Sequence, residues 1–211
     1  MPYLLILIGC LGITISSIGI HFPYIQQLDT SAVSWMSQHR NTIFDGLAVL
    51  LSHAGGLPIM LFCAGIWSIC QWRLKQYGTS LFILLGLVGG ACIGWLLKYS
   101  FDRPRPNAIY QMVETYGAAF PSAHSLYAAV MSGLVIVIYR QHRFSNQIFT
   151  IAILWFIGMG FSRVYLGAHY PTDVIAGWSI ALVWLTALWL FLSKRVAKQT
   201  IIFREKSNEV E

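Results

Sequence analysis

Charged side chains are scarce in this sequence. Asp, Glu, Lys and Arg make up 10% of its 211 residues, against about 25% in soluble domains. With 56% of the residues hydrophobic, that scarcity excludes an ordinary water-soluble domain. Carboxylates are the rarer sign, eight against fourteen Lys and Arg. No cluster of them forms a metal cage, so neither a metal nor another cofactor is expected. Cysteine is also rare. Cys10, Cys63, Cys70 and Cys92 all fall inside apolar runs, which argues against a disulfide framework or a zinc site. They read as small lipid- or core-facing residues, with core packing the favoured reading for Cys63 and Cys70, seven apart on one helix face. Internal repeats and low-complexity runs are missing too. The net charge of +6 would point to nucleic acid in a soluble chain. Here most of the charge sits in short loops and the tail, and no nucleic-acid partner is expected.

What the sequence does have is long apolar segments. Six are near the ~20 residues that cross a bilayer: 3–20, 47–69, 80–97, 122–139, 147–162 and 172–193. The second is interrupted by His53-Ala54-Gly55-Gly56. The first carries no Lys or Arg ahead of it and only a weak cleavage site, so it is read as a retained span. Residues 21–45 are mixed. Asp29-Thr30-Ser31 reads as a helix start, with Ala32, Val33, Trp35 and Met36 on the membrane interface and Gln38, His39 and Arg40 facing water. The expected fold is all-α: one polytopic bundle of six transmembrane helices spanning 1–211, with a charged tail at 194–211 that extends the last helix.

The loops after the second and fourth spans, with the tail, hold nine of the fourteen Lys and Arg. The positive-inside rule therefore places both termini in the cytoplasm. The remaining five, Arg40, Lys98, Arg103, Arg105 and Arg163, fall on the other side. They gather in polar stretches at the span ends: Lys98 to Pro106, Pro121-Ser122-Ala123-His124, and Ser162 to Asp173. Ionisable groups at such places are costly to keep without a task. Parity puts all three stretches on the outer face, where they can meet.

Lys98-(six residues)-Arg105-Pro106, then Pro121-Ser122-Ala123-His124, then Ser162-Arg163-(five residues)-His169-(three residues)-Asp173 resembles the three-part signature of the type 2 phosphatidic acid phosphatase family. That family is related to vanadium haloperoxidases and bacterial acid phosphatases. The resemblance covers about 47–192. Ala123 departs from it, standing where the family has glycine, but it keeps the backbone N–H. The resemblance implies a membrane lipid phosphatase of the bacterial inner membrane, multi-pass, with its site facing the periplasm or exterior.

Phosphoryl transfer needs an in-line nucleophile, charge stabilisation and a proton for the leaving oxygen. Lys98, Arg105 and Arg163 suit the charge, arginine by holding two phosphate oxygens at once. Ser122 offers a hydroxyl at a helix start, where the N–H groups of Ala123 and His124 are free for an anion. On the family resemblance, His169 is the nucleophile of a phosphohistidine intermediate and Asp173 fixes its tautomer. His124 protonates the leaving oxygen and then activates water. Taken singly, each has a blander role: His169 as a structural hydrogen-bonder, Arg163 as a snorkelling cation, Ser122 as a helix cap. Asp102 and Arg103 are read as a pair outside the catalytic set, and His53 as a pocket or packing residue.

A lipid phosphate in the bilayer is the expected partner. Undecaprenyl diphosphate is placed first, narrowly, because small bacterial members resembling this chain often hydrolyse it; phosphatidylglycerol phosphate and phosphatidate follow. A lipid phosphotransferase would use the same residues. A transporter or anion-binding protein would explain the cations but leave His124, His169 and Asp173 without a task.

Overall fold

The computed structural model describes the backbone of residues 2–208 and the side chains of 2–193. Eight α-helices run through it: α1 (Pro2–Gly19), α2 (Pro23–Gln38), α3 (Thr42–Ala54), α4 (Leu57–Arg73), α5 (Tyr77–Phe101), α6 (Ala123–Tyr139), α7 (Ser145–Tyr165) and α8 (Pro171–Asn208). A 3-10 turn at Ala108–Tyr110 interrupts the long loop between α5 and α6. No strand occurs among the described residues. The tail expected at 194–211 continues the backbone of α8 to Asn208; its side chains, and residues 209–211, lie outside the described residues.

Among the described residues, four helices are long and apolar enough to cross a membrane alone: α1, α5, α7 and the Pro171–Ser193 part of α8. Two local features keep the expected count of six from following on length and apolarity alone. The segment at 47–69 divides at Gly55-Gly56, where α3 ends and α4 begins, and the two helices pass only as a pair bent by 57°. α6 is 17 residues long, because Pro121 and Ser122 precede it and the polar run from Arg140 follows.

The interior is built around α8, which packs against α1, α5 and α6, while α6 also packs against α7. Phe82, Ile83 and Leu87 of α5 meet Leu126 and Leu134 of α6 and Leu185 of α8 in one buried cluster. The opposite helix faces are apolar as well: Phe62, Ile151 and Phe191 are exposed. A bundle apolar both inside and out needs hydrocarbon around it, since a soluble monomer rarely exposes such continuous apolar surface. The four cysteines are free and exposed. Cys63 and Cys70 are therefore not the packing residues expected of them; they share a face, and it is an exposed one.

α2 corrects a second expectation. It begins at Pro23, with proline in its first turn, where the missing N–H does no harm. Asp29 lies inside the helix and is 2% exposed. Its carboxylate binds a distant arginine and a main-chain N–H in the first turn of α8 instead of capping its own helix.

Four helix ends meet at one end of the bundle: the C-termini of α5 and α7 and the N-termini of α6 and α8. Close backbone approach holds them. A Cβ on Gly177 of α8 would lie 2.6 Å from Ser122 O, and Ser122 N donates to Asp173 O at 2.9 Å. The loop joining α7 to α8 turns at Gly167, whose φ of +67° is left-handed and whose Cβ would meet Tyr110 O at 2.1 Å. Glycine meets both requirements.

Candidate active site

Lys98 lies in the last turn of α5 and is buried. Its Nζ donates to Ala118 O, in the loop that returns to α6. Arg105, in the same loop, donates from Nε to Gly117 O at 2.8 Å and from Nη2 to Tyr116 O at 2.7 Å. Its Nη1 reaches Ala168 O at 2.8 Å and stands 3.3 Å from His169 Nε2. Arg163, near the end of α7, is 3% exposed and donates from Nη1 to Ser52 Oγ of α3. Its Nε has no hydrogen-bond partner.

Ser122 is the N-cap of α6, with Oγ accepting from Ser125 N at 3.4 Å and lying 2.9 Å from Ser125 Oγ. Ala123 and His124 follow in the first turn, where main-chain N–H groups have no intrahelical partner. His124 is half-buried. Pro171 opens α8, and Asp173 lies in its first turn, fully buried. Its Oδ2 accepts from Tyr170 N at 2.8 Å. His169 is 2% exposed, in the loop just before α8, and its Nδ1 is 3.5 Å from Asp173 Oδ2.

All eight residues singled out in the sequence therefore belong to the helix ends and loops at this one end of the bundle. The expected Asp173–His169 contact is a close approach: no hydrogen bond reaches Nδ1. Burial first, then the charges of Arg105, Arg163 and Lys98, holds the His169 pKa well below its ordinary value. The ring is thus neutral at neutral pH.

Three residues were missed or misread. Arg103 does not pair with Asp102, which ends α5 in the left-handed region at φ 39°. It binds Asp173 Oδ1 and Asp29 Oδ2 together. Burial opposes its charge, but Asp173 and then Asp29 outweigh that and raise its pKa. Asp29 and Ser52 were invisible as partners because they sit 74 and 111 residues from the groups they bind. A lone Asp in an otherwise uncharged stretch was the only signal. His53 is exposed at the α3–α4 break.

An all-helical membrane bundle with a buried His–Asp pair among clustered cations is the class that fold and site define. The sequence matches the PAP2 superfamily over residues 77–197, more than half of the chain, and the protein belongs to that family. Phosphatidylglycerophosphatase B of Bacillus subtilis (strain 168) is 25% identical over 193 residues, which cover 89% of this chain and 92% of that protein. Undecaprenyl-diphosphatase BcrC of the same organism is 23% identical over 151 residues, covering 69% and 73%. Among solved structures, the transmembrane PAP2-type phosphatidylglycerolphosphate phosphatase of Bacillus subtilis superposes with a TM-score of 0.81 at 25% identity, covering 92% of this chain and 96% of that one.

Proposed function

We propose that the protein hydrolyses a lipid phosphate or diphosphate through a phosphohistidine on His169. The observation that carries this reading is the contact between Arg105 Nη1 and His169 Nε2. A guanidinium only donates, so Nε2 presents its lone pair on the side where the cations gather. A phosphoryl oxygen held by Arg105 brings its phosphorus to that lone pair.

Lys98, Arg105 and Arg163 neutralise the equatorial oxygens, with Ser122 Oγ and the first N–H groups of α6 as further donors. Nε2 attacks phosphorus as the P–O bond to the lipid breaks, and His124, protonated beside the bound phosphate, gives that oxygen its proton. His124 then takes a proton from water, whose oxygen attacks phosphorus while the P–N bond breaks. His169 returns to neutral, and phosphate leaves. Asp173 holds the Nδ1–H tautomer throughout. Every charge the reaction needs comes from side chains, so the mechanism calls for no metal.

The helix directions support six crossings, counting α3 with α4 as one broken span and α6 as a short one. The Lys and Arg of the α4–α5 and α6–α7 turns then lie in the cytoplasm of a bacterial cell, and the site lies at the outer surface. There it meets phosphates at headgroup depth. Phosphatidylglycerol phosphate and undecaprenyl diphosphate, the substrate types in the relatives' names, are the first to test.

Phosphate release in detergent from a panel of lipid phosphates tests the reading. Wild type should be active, and His169→Ala and His124→Ala should each lose at least ~100-fold. Wild-type activity in His169→Ala would remove the nucleophile.

A further inference from the structure

One buried charge cluster extends beyond the steps above: Asp173 takes part in them, but Asp29 and Arg103 do not. Asp29 of α2 is 2% exposed, Arg103 9% and Asp173 0%. Arg103 joins the two carboxylates. Its Nη2 donates to Asp29 Oδ2 at 2.7 Å, and its Nη1 donates to Asp173 Oδ1 and, at 2.7 Å, to Thr172 Oγ1. Asp29 also accepts from the Thr172 main-chain N–H at 3.1 Å and from the Thr172 hydroxyl. The guanidinium lies over the Tyr170 ring, 4.2 Å from its centroid. The first turn of α8 is thus clasped from α2, a helix outside residues 77–197 that match the family.

We infer that Asp29 and Arg103 are positioning residues for the reaction: α2 fixes Arg103, Arg103 fixes Oδ1 of Asp173, and Oδ2 is thereby aimed at Nδ1 of His169. Two anchors define the carboxylate plane, Arg103 on Oδ1 and Tyr170 N on Oδ2. With one anchor gone, the carboxylate is free to rotate about its Cβ–Cγ bond. Neither Asp29 nor Arg103 need touch the substrate for this. Arg103 also offsets part of the Asp173 charge, which it shares with Lys98 and Arg105 as well as the imidazole.

This inference rests on His169 being the nucleophile, and the experiment separates the two claims. Full-length protein in detergent is assayed on its best lipid phosphate as wild type, His169→Ala, Asp29→Asn, Arg103→Lys and Arg103→Met. Positioning predicts that Asp29→Asn and Arg103→Met lower kcat by ~10–100-fold, the range for groups that orient another from behind, with KM little changed. Arg103→Lys should recover part of the loss. In Arg103→Met the acid limb of kcat/KM should move to higher pH. Lys98 of α5, Arg105 of the α5–α6 loop, His124 of α6 and Arg163 of α7 still face His169 there, but Asp173 stabilises the imidazolium without its direct Arg103 partner.

Wild-type kcat in Asp29→Asn and Arg103→Met, beside an inactive His169→Ala, would overturn the inference alone. So would a rise in KM at unchanged kcat. Failure of all three variants to fold would also overturn it, because the cluster would then anchor the fold rather than tune the site. An active His169→Ala would remove the nucleophile reading, and this inference with it.

Discussion

Arg105 Nη1 and His169 Nε2 stand 3.3 Å apart, close enough for the guanidinium to donate to the imidazole. Donation in that direction would leave the ring proton on Nδ1, which faces Asp173 Oδ2 at 3.5 Å. Catalytic hydrogen bonds of this kind are often long before substrate binds and tighten with it. A phosphate dianion would reduce the repulsion between the three cations and any positive charge on the ring.

The first prediction concerns pH. The His169 pKa lies well below its ordinary value, through burial first and then Arg105, Arg163 and Lys98. Ring nitrogen chemical shifts should therefore report a neutral imidazole as pH falls through ~6.5, the unperturbed value. Stability moves with the opposite partner. The unfolded chain takes up this proton below ~6.5 and the folded one does not, so melting temperature should fall with acidification there. A His169 that titrates near its ordinary value would contradict both.

Arg163 offers a graded test. Arg163→Ala removes a cation from the proposed phosphate cradle and should lower kcat/KM by ~10²–10³, the loss typical of a removed oxyanion donor. Ser52→Ala removes only the hydroxyl that accepts from Nη1, worth ~0.5–1.5 kcal/mol as a net hydrogen bond. Its effect should be roughly tenfold or less. An equal loss in both variants would mean that Ser52 is part of the cradle itself.

Gly167→Ala should destabilise the α7–α8 loop. A left-handed conformation disfavours a Cβ by about 1–2 kcal/mol, and here the added atom would also lie 2.1 Å from Tyr110 O. Because His169 is two residues further on, activity should fall along with the melting temperature. A variant as stable and active as wild type would show that the loop can shift without disturbing His169.

Vanadate, a phosphate mimic, should inhibit by binding among Lys98, Arg105 and Arg163 at His169. Full activity should persist in EDTA. Loss of activity on chelation, restored by adding back a divalent ion, would contradict a mechanism whose charges all come from side chains.

The candidate site was legible because its parts are local in sequence. Lys98 and Arg105 lie within one helix turn and its exit loop, Ser122 to His124 within one helix start, and Arg163, His169 and Asp173 around one loop. Each falls at the edge of an apolar run, where a polar residue stands out. The span count was less legible. Hydropathy averages over windows, so it did not separate α3 from α4, whose break depends on two glycines and a 57° change of direction. Asp29 looked like a helix cap because capping is what an Asp before Thr and Ser most often does. Its burial depends on α2 lying against α7 and α8.

The sequence by itself determined that the chain belongs in a membrane, that it is helical, and which polar groups lie at the span ends, because these follow from apolar length and local pattern. Tertiary structure alone decided that Arg103 turns from its neighbour Asp102 to Asp29 and Asp173, and that Ser52 receives Arg163. A buried ion needs a partner at hydrogen-bond distance, and only the packing of helices far apart in the chain brings those partners within reach.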